Sequence, residues 1–481
     1  MRRLKTLLTG VAVLAVLYAG TTVAYAQEQA EDSGKAKPAA RVNPLLTEGD
    51  QNPSGDQDSG PSLQSDMRPL TGVQNPTLGS PEIRHSYWVP GINYSNVVRS
   101  SALNQTTAAS WNSTSYLTGN VSLLEAWSHS QLSLNYSGGG FFSTDGAQGR
   151  GYFHQFGLTQ NFEWRRWQLA FLDEFSYLPE TSFGFGGGTG ISLPGVGGSL
   201  GPPSPGLLGN FQPNQTILTS VGTRYSNSIT TQAVYQVSPR GSINVAGSYG
   251  ILRFLEAGNI ENDDYIGNIG YNYAVGKKDT LGVLYRFSAF RYIGNPQALD
   301  DHVVQLSYGR KVTGRLGLQM SGGFESTNFR VPVGNATNRL GESVNATLNY
   351  ATAQNDLTLS YIRGVSNGSG VQFGSSSDQV QAGVSRRVSR EWQGNLHLGY
   401  AHNGSLGNST TGQSSRTFNS YYMGGGLNRP LGRDANISLA YTVQMQSSNQ
   451  PVCATGTCNT NFTQHQITVG FSWHARPFVL R

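Results

Sequence analysis

Charge is what this chain has least of: Asp, Glu, Lys and Arg make up 13% of its 481 residues, against roughly 25% in ordinary soluble domains. A soluble β-sandwich or propeller solvates its outer face with Lys and Glu, and the polar positions here carry few of either. Nor is there a Lys/Arg cluster with interleaved aromatics, which argues against a nucleic-acid partner. Long apolar runs are equally scarce: after the first 26 residues no segment could cross a membrane as a helix. Cysteine is confined to Cys453 and Cys458, in Cys-Ala-Thr-Gly-Thr-Cys. In an exported chain that spacing reads as a local disulfide bracing a loop. Two thiols without a neighbouring His cluster are half a metal site, so no metal is expected. The eight His are scattered and form no Ser-His-Asp constellation, which argues against an enzyme. Gly186-Gly187-Gly188 is followed by no GK[ST], so it is no phosphate cradle, and no cofactor is expected.

What is present begins with an export signal. Met1-Arg2-Arg3-Leu4-Lys5 is basic, an apolar run continues through Leu17, and Ala24-Tyr25-Ala26 precedes Gln27. This order predicts a signal peptide over 1–26, and the run is short of the ~20 residues of a spanning helix. The formal net charge of +5 falls to +2 when Arg2, Arg3 and Lys5 leave with it. Residues 27–85 are rich in Pro, Gly, Ser, Asp, Gln and Glu, with almost no aromatics and no period. They read as a disordered periplasmic leader or linker.

From residue 86 the texture changes to strand-length alternation. Ile437, Leu439, Tyr441, Val443 and Met445 stand against Asn436, Ser438, Thr442, Gln444 and Gln446. In the last such stretch, Ile467, Val469, Phe471 and Trp473 alternate with Gln466, Thr468 and Ser472. Successive strand side chains point to opposite faces, so each stretch has one greasy and one wet face. No helical period competes.

The connections are of two kinds. Tight, often charged turns such as Glu163-Trp164-Arg165-Arg166, Ser238-Pro239-Arg240-Gly241 and Leu431-Gly432-Arg433-Asp434 alternate with longer Gly/Ser/Asn-rich segments, as around 180–213, 366–377 and 447–461. The fold predicted for 86–481 is therefore all-β: a transmembrane antiparallel up-and-down β-barrel with long extracellular loops and short periplasmic turns. Seventeen candidate strands follow residue 114, and a chain that ends in the periplasm needs an even number. An eighteenth near Tyr87–Val98 completes the set, with sixteen strands as the alternative. The 23 Tyr, 20 Phe and 7 Trp gather at strand ends, as an interfacial girdle would.

In its signal, alternating strands, sorted connections and amphipathic last strand, the chain resembles the bacterial outer-membrane porin class over about residues 86–481. The resemblance is architectural. It implies integral residence in a Gram-negative outer membrane and contact with its lipid and lipopolysaccharide. It also implies assembly by the barrel-assembly machinery, which would read Ile467, Val469, Phe471 and Trp473, and it admits a homotrimer. Such chains typically end on an aromatic, whereas this one continues from His474 to Arg481. Either the recognition signal is internal or Phe478 stands in for the terminal aromatic. By the same resemblance the long third loop, 181–213, is either a segment folded into the pore or a mobile surface loop.

If the apolar parity faces lipid, the lumen is lined by neutral amides and hydroxyls, with Asn272, Gln319, Asn345, Asn395, Gln444 and Gln466 as pore-lining candidates. The charges that parity places inside are Glu174, Arg286 and Arg387, too few for the ring or ladder that sorts ions. Asp173 falls on the apolar parity between Phe171 and Phe175, which predicts a β-bulge or strand end there, since a carboxylate facing lipid is costly. The expected function is an outer-membrane channel for passive diffusion of small hydrophilic, neutral solutes. The alternatives are an export barrel for an exopolysaccharide, its glycan path lined by aromatics such as Tyr422, and a non-conducting structural or adhesive barrel.

Overall fold

The computed structural model describes residues 86–100, 111–144, 149–178, 223–255, 259–333, 336–352, 354–368, 370, 372–389, 391–406, 416–449 and 462–480. The leader, loop 181–213 and the Cys453–Cys458 pair lie outside the described residues.

The strands are β1 (Ser86–Ser100), β2 (Trp111–Ala126), β3 (Ser130–Ser143), β4 (Arg150–Glu163), β5 (Trp167–Leu178), β6 (Arg224–Gln236), β7 (Gly241–Phe254), β8 (Asn262–Ala274) and β9 (Asp279–Tyr292). They continue as β10 (Ala298–Lys311), β11 (Leu316–Val333), β12 (Ala336–Ala351), β13 (Asn355–Ser366), β14 (Ser375–Arg387), β15 (Gln393–Ser405), β16 (Thr417–Leu431), β17 (Ala435–Ser448) and β18 (Phe462–His474). Each pairs antiparallel with the next, and β1 pairs with β18 from Gly91↔His474 to Arg99↔Gln466, so the sheet closes. The result is an all-β, closed, antiparallel barrel of eighteen strands, as the alternation and parity predict. Closure removes every free sheet edge from the wall, a requirement for any sheet whose outer face meets lipid.

Past His474 the chain runs on into a three-residue strand, β19 (Phe478–Leu480), which continues along β1 by pairing with Ser86–Trp88. Phe478 stacks on Trp88 there, with ring centroids 4.8 Å apart. The tail beyond β18 thus extends the closing seam.

The side chains divide by parity. On β18, Ile467, Val469, Phe471 and Trp473 are exposed on the outer surface, while Gln466 and Thr468 are buried on the inner one. The same inversion runs around the barrel, with Val283, Val304, Leu306, Leu439 and Tyr441 among the outward, exposed residues. At the short-turn end the outer face carries aromatic pairs such as Trp167 with Tyr235 and Phe162 with Trp164. Toward the other end Tyr136, Tyr285 and Tyr441 each lie within hydrogen-bonding distance of a His, at 2.8–2.9 Å from His154, His302 and His465. Amphipathic rings on the outer face, with their polar atoms paired, suit a surface that approaches a membrane–water boundary.

One expectation fails. Asp173 sits in an unbroken ladder, opposite Leu158 on one side and Ile229 on the other, with no bulge. Its carboxylate stays on the outer parity because Asn227, from the next strand, donates from Nδ2 to Oδ1 at 2.6 Å. A cross-strand amide does the work expected of a register shift.

Candidate functional site

The inner wall is built in two halves. Toward the short turns it is a lattice of small neutral groups held by side-chain hydrogen bonds between neighbouring strands. Thr230 donates to Ser248 at 3.0 Å, Gln305 to Ser343 at 2.9 Å and Ser321 to Gln305 at 3.3 Å. Of the pore-lining candidates, Asn272, Gln319, Asn345 and Asn395 lie in this half, Asn272 and Asn345 buried on the inner face, Gln319 half-buried and Asn395 exposed, whereas Gln444 and Gln466 are buried on the inner face nearer the long connections. Amides and hydroxyls in this arrangement can exchange partners with water or with solute hydroxyls.

Toward the longer connections the wall is charged, more so than the sequence pattern indicates. Glu174 and Arg286 lie on the inner parity as expected, whereas Arg387 ends β14 and is exposed at the rim beside the 388–392 turn. To these the fold adds Arg99, Arg224, Asp264, Asp301 and Glu325, which alternation alone did not single out. Two of them, Asp301 and Glu325, form one group with Arg286. Arg286 Nη2 lies 3.8 Å from Asp301 Oδ2 and 3.7 Å from Glu325 Oε1. Thr327 donates to Asp301 Oδ1 at 3.0 Å. Asp301 is 0% exposed and Glu325 3%, so both carboxylates depend on a single guanidinium and a few donors in place of water. On the far side of the barrel Arg99 donates to Gln466 at 3.0 Å and to Tyr116 at 3.2 Å, next to an apolar cluster of Val97, Tyr116, Phe141 and Phe153.

The connection from β13 to β14 turns inward. Pairing of β12 with β13 stops at Val344↔Arg363, although β12 continues along β11 as far as Asn338. Freed from β12, the β13–β14 hairpin end leans onto the inner surface of β8–β11. Asn367 donates from Nδ2 to Asp264 Oδ2 at 2.7 Å, and Tyr292 Oη donates to the Asn367 carbonyl at 3.3 Å. Ile260 N–H donates to the Gly370 carbonyl at 2.8 Å. Val365 packs against a cluster of Phe290, Tyr292, Leu299, Phe329 and Leu406, and Tyr292 meets Phe373 edge to face with centroids 5.2 Å apart. Beside it Arg416 lies over the Phe418 ring at 4.7 Å, and burial lowers its pKa from the ordinary guanidinium value.

Three glycines make this course possible. Gly368, Gly370 and Gly374 have φ of +81°, +77° and +79°, which side-chain-bearing residues rarely adopt. A Cβ on Gly370 would lie 2.6 Å from the Phe254 ring, and one on Gly374 2.2 Å from Leu299. Among the described residues this is the connection seen inside the barrel.

No protein-family model matches the chain, and no curated protein matches it. Among solved structures it is similar to Acinetobacter baumannii OccAB3, with a TM-score of 0.41 and 9% identity, covering 81% of this chain and 99% of that one. The outer membrane protein OpdK from Pseudomonas aeruginosa gives 0.38 and 9% over 81% and 99%. Pseudomonas aeruginosa OccK2 in complex with glucuronate gives 0.41 and 10% over 81% and 98%. Likeness of this degree assigns neither solute nor selectivity.

Proposed function

We propose that this chain is an integral outer-membrane channel through which small hydrophilic solutes diffuse passively, from the side of the long loops to the side of the short turns. One observation carries the reading: around the barrel the exposed outer parity is predominantly apolar, and the inner parity is polar outside the apolar clusters near the long connections. A soluble protein has no use for that inversion, whereas a barrel in lipid with a wet interior requires it. The neutral lattice in the short-turn half suits uncharged solutes, since amides and hydroxyls offer hydrogen bonds without a fixed field. The charges of the other half are largely compensated locally, Arg286 against Asp301 and Glu325, and Asp264 by the amides of Asn262 and Asn367.

Liposome swelling tests this reading. Vesicles reconstituted with the purified chain are expected to swell in isotonic neutral sugars, at a rate that falls as the sugar grows from a mono- to a tetrasaccharide. Swelling no faster than that of protein-free vesicles would contradict the proposal.

A further inference from the structure

Above Arg363 the β13–β14 hairpin end is held to the barrel wall by groups of the wall itself, and two of the acceptors that receive it are carboxylates, beside the Arg416 carbonyl that accepts from Gln372 at 3.2 Å. We infer that this hairpin end is a strap latched by Asp264 and Glu325, and that releasing the latch widens the passage. The widening rests on the channel function proposed above; the latch does not.

The strap has lost its ladder to β12, so other contacts must hold that side of it. Two polar attachments do so at successive points. Val365 N–H donates to Glu325 Oε1 at 3.0 Å, reaching a side chain two strands away. Asn367 Nδ2 donates to Asp264 Oδ2 at 2.7 Å, 103 residues distant in sequence. The acceptors are themselves positioned: Asn262 donates to Asp264 Oδ1 at 2.5 Å, and Glu325 sits against Arg286. Both acceptors are shielded from water, where a hydrogen bond is electrostatically stronger than at the surface. A Cβ on Gly364 would come within 3.4 Å of Glu325 Oε1 and 3.7 Å of Arg286 Nη2, so this stretch lies directly over the charged group. The carboxylates that sequence alternation passed over therefore have a definite task in the fold, which is to hold a piece of chain across the inner wall.

Hydrogen exchange and conductance of the same purified preparations test both parts. In Asp264→Ala/Glu325→Ala, amide exchange at Val365 and Asn367 is expected to be about tenfold faster than in the wild type, with β1–β6 unchanged. Conductance in planar bilayers is expected to rise at least about twofold. Asn367→Ala removes one attachment from the strap side and leaves both carboxylates in place, so it gives a smaller change of the same sign even if the double variant fails to fold. Unchanged exchange in the folded variants would overturn the latch. Faster exchange at unchanged conductance would overturn the widening alone. If neither wild type nor variants conduct, the channel function and the widening both fail, while the exchange rates still decide whether the latch exists.

Discussion

Arg286→Met is expected to destabilise the barrel by about 3–5 kcal/mol, the cost of removing one partner from a buried ionic group. The guanidinium is the cation lying against both Asp301 and Glu325, which are almost wholly shielded from water. Taking it away leaves two carboxylates together in a medium that screens them poorly, with Thr327 and the Val365 amide as their donors. Urea unfolding in lipid vesicles, followed through the mobility difference between folded and unfolded bands, measures the loss. Adding Glu325→Gln to Arg286→Met is expected to recover part of it, because a neutral amide then replaces one of the two buried carboxyl groups. Equal midpoints for Arg286→Met and wild type would mean that the group contributes nothing to stability.

The second large effect separates the two faces of one strand. Val469→Arg puts a charge on the outer face near the middle of β18, where it is expected to cost about 2–4 kcal/mol if that face meets hydrocarbon. Ser472→Arg, on the inner parity of the same strand, is expected to stay within about 0.5 kcal/mol of wild type. The readout is the fraction of protein that assembles into the folded, heat-modifiable form. Equal tolerance of the two substitutions would be incompatible with a lipid-facing outer surface.

Much of this architecture is readable from residue order alone, because a lipid-exposed barrel imposes a period of two on every strand. Ile467, Val469, Phe471 and Trp473 declare their face without any long-range information. The strand number follows from parity, and the sorted turns fix which connections share an end. The charged half of the inner wall was within reach of the same arithmetic. Two steps of two back from Gln305 lead to Asp301, and three forward from Gln319 lead to Glu325. Apolar Val303 and featureless Gly323 interrupt the polar rhythm on the way. Inner positions near the loops are packed against protein and need not be polar, as Phe290, Leu299 and Phe329 show, so alternation weakens where the strap sits. Asp173 misled for a related reason: pattern sees one strand at a time, and the group that satisfies it, Asn227, is on another. The inward turn after β13 is the least legible feature. Its contacts join Asn367 to Asp264 and Tyr292, and only Asn367-Gly368-Ser369-Gly370 hints at the positive φ values the turn needs.

Single-channel recording of the purified wild-type chain tests the central claim most directly. Stepwise, ohmic conductance that scales with KCl concentration is the expected result for a polar-lined passage through an eighteen-stranded barrel. A strand-rich, heat-modifiable protein that inserts into the bilayer and remains electrically silent would contradict it.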